Sequence, residues 1–93
     1  MNIELTNDGK KGKFMALENN VHAGEMTFTW AGDQKFIIDH TEVNPDFRGQ
    51  SVGKQLVMAA VQFARERDVK IIPLCPYAKS VFQKSEDIRD VLA

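Results

Sequence analysis

Asn44-Pro-Asp-Phe-Arg-Gly-Gln-Ser-Val-Gly-Lys54 runs straight into an apolar-periodic segment that ends near Arg67. Gly49 and Gly53 let a loop turn sharply with its amides inward, and a following helix adds unpaired N–H groups and the positive end of its dipole. The stretch reads as a cradle for an anion of the phosphate type. Downstream, Val52, Leu56, Ala59, Ala60 and Phe63 recur at helical spacing, with Gln55, Gln62 and Glu66 on another side, which predicts a helix over 51–67. Upstream, Lys35 to Val43 reads as a long, central strand with Phe36, Ile37 and Ile38 as its apolar start. Beyond the helix, Val69-Lys-Ile-Ile-Pro-Leu-Cys75 is a short β-branched run. Strand, helix, strand implies a parallel crossover with the loop at the carboxyl edge of the sheet, where ligands of α/β folds bind. Pro73 predicts an edge position or a local break in pairing, because proline cannot donate to a ladder.

The remaining segments fit around this unit. Ile3 to Leu5 reads as a short first strand closed by the turn-rich Thr6-Asn-Asp-Gly9. Lys13–Glu18 and His22–Trp30 form a hairpin about Asn19-Asn20, and in its second arm Met26, Phe28 and Trp30 share the buried face while Glu25, Thr27 and Thr29 take the other. After Pro76, Ala78, Val81 and Phe82 lie at helical spacing, and Ser85 to Leu92 reads as a last short helix capped by Ser85 and packed down by Ile88, Val91 and Leu92. The expected fold is α/β with a mixed sheet: antiparallel N-terminal strands, then a β-α-β unit and short C-terminal helices, in one domain over residues 1–93.

Composition narrows the function classes. With 93 residues there is room for one core, and 43% apolar with 27% charged residues is an ordinary globular balance. A net charge of −1 without a long basic run argues against nucleic acid as a partner. Cys75 is the only cysteine, so no internal disulfide forms and a reducing compartment, the cytoplasm, is expected. No apolar run approaches the roughly 20 residues that cross a bilayer, and Met1 to Gly12 is polar, so neither a membrane partner nor a signal peptide is expected. No metal is implied.

The loop is not a Walker motif, which needs four residues between its glycines and a Gly-Lys-Ser/Thr ending; Gly53-Lys54 is followed by Gln55. It also lacks the Gly-x-Gly-x-x-Gly dinucleotide fingerprint. Glycines before a helix often do no more than turn the chain, and spacing alone leaves that reading open. Arg48-Gly-Gln-Ser-Val-Gly53, however, resembles the acyl-CoA pyrophosphate motif (Arg/Gln-x-x-Gly-x-Gly/Ala) of the GNAT superfamily of N-acetyltransferases. His40-Thr-Glu-Val43 and Ile72-Pro-Leu-Cys-Pro-Tyr77 extend the resemblance to small, single-domain GNAT-like proteins, over about Phe36 to Leu92. Ser51 departs from the usual glycine; serine still presents its N–H and adds a hydroxyl, so at worst weaker or slightly altered CoA binding is expected.

The resemblance implies acetyl-CoA as cofactor. Its pantetheine arm would lie where the strand before the loop parts from the strand after the helix, bonding to free backbone groups at Val43. The amides of Gly49, Gln50, Ser51, Val52, Gly53 and Lys54 would hold the pyrophosphate, with charge from Arg48 and Lys54, and the thioester would lie near His40, Glu42 and Cys75. Transfer to an amine needs a base, donors for the tetrahedral oxyanion and an acid for the departing thiolate. His40 and Glu42, on one side of a strand, are candidates for base; the alternatives are a hydrogen-bonded histidine that organises the strand end and a solvated carboxylate. Cys75 could accept the acetyl group, form a mixed disulfide with CoA, or be inert packing, since the resemblance implies direct attack of the amine on the thioester as the usual mechanism. Tyr77 could protonate the CoA thiolate, line the slot, or pack the last helices. The chain has no room for the helices and extra strands that shape the acceptor pocket in larger GNAT enzymes. An open acceptor side favours a protein amine, a pocket completed by another subunit in a weak homodimer, or, if the chain is a monomer without an acceptor site, a non-catalytic acyl-CoA-binding module. An α/β interaction domain without cofactor is the third reading.

Overall fold

In the computed structural model, which describes residues 1–93, two asparagines set the first long hairpin. Asn19 and Asn20 both have positive φ, 51° and 66°, the geometry of a tight turn whose twist matches the strands it joins. They connect β2 (Lys11–Glu18) to β3 (Val21–Trp30). β1 (Asn2–Asn7) flanks β2, and β4 (Lys35–Val43) flanks β3, all antiparallel. β1 is thus longer than the Ile3–Leu5 expectation. β5 (Lys70–Pro73) joins β4 in parallel, so the sheet order is β1-β2-β3-β4-β5 and β4 is central to the β-α-β unit.

The helix α1 (Val52–Arg67) buries Leu56, Val57, Ala60, Val61, Phe63 and Ala64 against the sheet. Beneath it Phe14, Phe28, Trp30, Phe36 and Phe63 pack with ring centroids 5.0–6.2 Å apart, within the range of favourable aromatic contact. Trp30 is only half-buried, its indole donating to Asn7 Oδ1 at 2.9 Å. Truncating the fully buried Phe28 to alanine would cost about 3–5 kcal/mol.

Pro73 is the last residue of β5, and pairing with β4 stops there, opposite Ile38. α2 (Pro76–Lys84) follows, seating Ala78, Val81 and Phe82 in the same core. Glu86–Val91 is a 3-10 helix, and Ser85 makes no side-chain cap, contrary to expectation. Arg89 instead closes the preceding helix: its guanidinium donates to the Phe82 and Gln83 carbonyls at the end of α2, satisfying acceptors that a helix terminus leaves orphaned. Asp90 ties the segment to α1 through a two-pronged pair with Arg65, at 2.7 and 3.1 Å. Leu92 then bridges to Ile71 beside β5.

A bulge decides what the end of β4 presents. Thr27 faces His40 while Phe28 faces Ile38, so Asp39 is an extra residue, bonded at 2.7 Å by the Thr29 hydroxyl. Strict alternation from the buried Phe36 and Ile38 would turn His40 and Glu42 toward the helices. One inserted residue reverses this: His40 and Glu42 pair with Thr27 and Glu25 on the outer face, and Thr41 and Val43 turn to the helix side.

Candidate active site

β4 and β5 part beyond Ile38, whose carbonyl accepts from both Leu74 and Cys75 amides, at 3.2 and 3.1 Å. Asn44 N–H bonds the Ala23 carbonyl at 2.8 Å. Bonded and non-bonded pairs alternate along an antiparallel ladder; His40 and Glu42 are therefore bonded to β3, and the amides and carbonyls of Thr41 and Val43 face the gap. An extended ligand could add to this edge as a strand does.

At the mouth of the gap lies the cradle. Asn44 caps the 3-10 turn Pro45–Phe47 by accepting from Asp46 N–H at 3.0 Å, and donates to the His22 carbonyl at 3.0 Å, which anchors the loop to β3. Gly49 has φ +86° and Ser51 φ 57°, ψ 33°, both left-handed. This explains why a glycine would be favoured at position 51. The Gln50 amide is spent on the Phe47 carbonyl, at 3.2 Å, but those of Gly49, Ser51, Val52, Gly53 and Lys54 have no carbonyl partner. Five free amides at a helix N-terminus fit a diphosphate. Arg48 is exposed and joins none of the ion pairs. Beside the cradle, Ser51, Lys54, Tyr77, Ser80 and Lys84 line a hollow of about 260 Å³. Lys84 and Ser80 were not among the sequence candidates; position on a helix facing α1 was their only signal, and it needs the packing to be seen.

Cys75 precedes the first turn of α2 and is 5% exposed. Its Sγ lies 3.4 Å from Thr41 Oγ1 across the gap. Burial pushes the thiol up, but the Thr41 hydroxyl and the amides of Ala78, Tyr77 and Thr41 outweigh it and hold the thiol below its ordinary value. Tyr77 moves the other way, raised by burial and then by the neighbouring Cys75 charge, so its phenol keeps its proton. Its ring rests on Gly53: a Cβ there would meet ring atoms at 2.7 Å. Gly53 therefore serves the tyrosine as well as the loop.

His40 and Glu42 share one side, as expected, but it is the exposed outer face, opposite the side from which Cys75 and Tyr77 reach the gap. Glu42 borders a hollow of about 260 Å³ with His22, Val43, Asn44 and Pro45. Glu25 stands directly opposite Glu42, bonded to His22 at 3.0 Å. The largest hollow, about 440 Å³, lies elsewhere on the outer face among Lys11, Lys13, Thr27 and Asp39 and contains none of the cradle residues.

Residues 13–91 match the model of the GCN5-related N-acetyl-transferase family. The chain belongs to that family. As a GNAT domain it is similar to protein NATD1 of Xenopus tropicalis, 29% identical over 84 residues that cover 89% of this chain and 77% of that protein. The solution structure of a GCN5-like protein from Staphylococcus aureus aligns at TM-score 0.71 and 36% identity, covering 97% of this chain and 87% of that one. A Bacillus anthracis protein assigned as a streptothricin acetyltransferase, solved with acetyl coenzyme A, aligns at TM-score 0.61 and 25% identity, over 72% of this GNAT domain and 39% of that chain.

Proposed function

We propose that this GNAT domain transfers an acetyl group from acetyl-CoA to an amine, carried on a protein, by way of Cys75. The observation that carries the reading is the Cys75 sulfur, 3.4 Å from Thr41 Oγ1 at the inner end of a gap whose mouth holds five unpartnered amides. The pyrophosphate fits the amides of Gly49 and Ser51 to Lys54, with Lys54 and Lys84 on its flank, and the pantetheine arm fits the free edge at Thr41 and Val43. The bound CoA supplies an activated thioester.

Cys75 as thiolate attacks the thioester carbonyl carbon; its C–S bond forms as the bond to the CoA sulfur breaks, and the departing thiolate takes the Tyr77 proton. The acceptor amine then attacks acetyl-Cys75 and releases the thiolate. Its proton leaves through water toward His40 or Glu42 on the outer face, and Tyr77 is reprotonated from solvent. The sheet carries no helix on its outer face, so a large acceptor can approach there, and the Glu25 and Glu42 carboxylates suit a protonated amine. A free thiol in this role needs a reducing compartment, which points to the cytoplasm.

Titration with acetyl-CoA should produce saturable amide shifts across residues 49–54. Mass spectrometry should find acetyl on Cys75 during turnover, and His40→Ala or Cys75→Ala should lose thiol release with a panel of amines while keeping CoA affinity. Absence of saturable shifts sinks CoA binding. Binding without thiol release favours a non-catalytic module, and turnover that survives Cys75→Ala means that the amine attacks the thioester directly.

A further inference from the structure

We propose that Thr41 is a positioning residue that holds the Cys75 sulfur in the gap between β4 and β5, keeping its hydroxyl on that sulfur in both protonation states. The inference rests on the acyl-transfer reading of Cys75 and adds to it a second residue, on the opposite strand.

Three observations converge on Thr41. The bulge at Asp39 rotates it from the outer face to the gap, so a feature of β4 that interrupts regular pairing with β3 has the placement of this side chain as its consequence. Its Oγ1 lies 3.4 Å from Cys75 Sγ, a side-chain bond spanning the two strands just where their backbone pairing has ended at Ile38 and Pro73. Its amide faces the gap as well, on the same side of β4 as the side chain's bonded partner across the gap. A hydroxyl accepts from S–H and, after ionisation, turns to donate to S⁻. Valine would fill the same β-branched volume on the strand and do neither. If Thr41 only packed, valine would serve as well.

The test follows the thiol itself, in the whole chain and without CoA, as the rate of iodoacetamide alkylation of Cys75 against pH. Thr41→Val is expected to move the midpoint of that profile upward by about one pH unit, about tenfold less thiolate at a fixed pH below it. Thr41→Ser, which restores the hydroxyl, should return the profile to within about 0.3 unit of wild type, an expectation scaled to the same shift. Thermal unfolding and the dispersion of the amide spectrum identify the variants that remain folded, and Thr41→Ala carries the same expectation should the valine variant not fold. A Thr41→Val or Thr41→Ala profile that superimposes on wild type overturns the proposal, as does a Thr41→Ser profile displaced as far as valine's. Because no CoA is present, failure of the transferase reading leaves this result interpretable, and an unmoved profile in a protein that acetylates amines removes the role of Thr41 alone.

Discussion

Replacing Ser51 by glycine should stabilise the protein. Ser51 is left-handed at φ 57°, ψ 33°, and makes no side-chain bond to the first turn of α1. An L-residue in that region pays about 1–2 kcal/mol. Glycine avoids this but returns about 0.4–1 kcal/mol through its freer unfolded chain, and no cap is lost. The net gain is about 0–1.6 kcal/mol, centred on about 0.8, which is about 3–6 °C in midpoint for a domain of this size. Urea and thermal unfolding of wild type, Ser51→Gly and Ser51→Ala would measure it, alanine being the control that loses the hydroxyl and keeps the strain. If the cradle works through amides, acetyl-CoA affinity should change by less than about twofold in Ser51→Gly, which is less than the net worth of a typical hydrogen bond. A glycine variant destabilised by about 1 kcal/mol or more would refute the reasoning, because it would mean that the serine hydroxyl makes a bond worth more than the backbone strain.

Gly53→Ala places a methyl 2.7 Å from the Tyr77 ring; the ring is 41% exposed and can swing outward, so stability should fall by only about 1 kcal/mol while acetyl-CoA affinity and turnover fall more, measured by calorimetry and thiol release. Gly24→Ala has no such escape: its Cβ would meet the Glu42 carbonyl at 2.7 Å and Val52 at 3.0 Å, and chemical unfolding should show a loss of about 2–3 kcal/mol. The Cys75 thiol is lower in the folded chain than in the unfolded one, so its ionisation contributes stability that is fully present above the unfolded thiol's pKa and is lost as pH falls through the folded one. Urea unfolding at several pH values should show wild type gaining on Cys75→Ala as pH rises through that window, and parallel curves would contradict the reading.

The helix over α1, the hairpin about Asn19-Asn20 and the loop motif were all legible in the sequence, because periodicity, turn chemistry and a short glycine spacing are local. The place of Pro73 was legible too: a missing donor predicts where pairing stops, and the gap opens there. Ser85 misled, since a serine before an acidic turn looks like a cap, and only packing shows Arg89 satisfying the preceding helix instead. Thr41 was hidden inside a motif that pointed to its neighbours.

The sequence by itself determined that a strand, an anion-binding loop and a helix follow one another, and that Cys75 and Tyr77 come soon after the next strand, which ends at Pro73. Tertiary structure decided which of these residues meet. A one-residue bulge at Asp39, set by pairing with β3 and invisible to a count of two along β4, sends His40 and Glu42 outward and turns Thr41 onto the Cys75 sulfur. Register is a property of two strands together, so no reading of β4 alone could assign its faces.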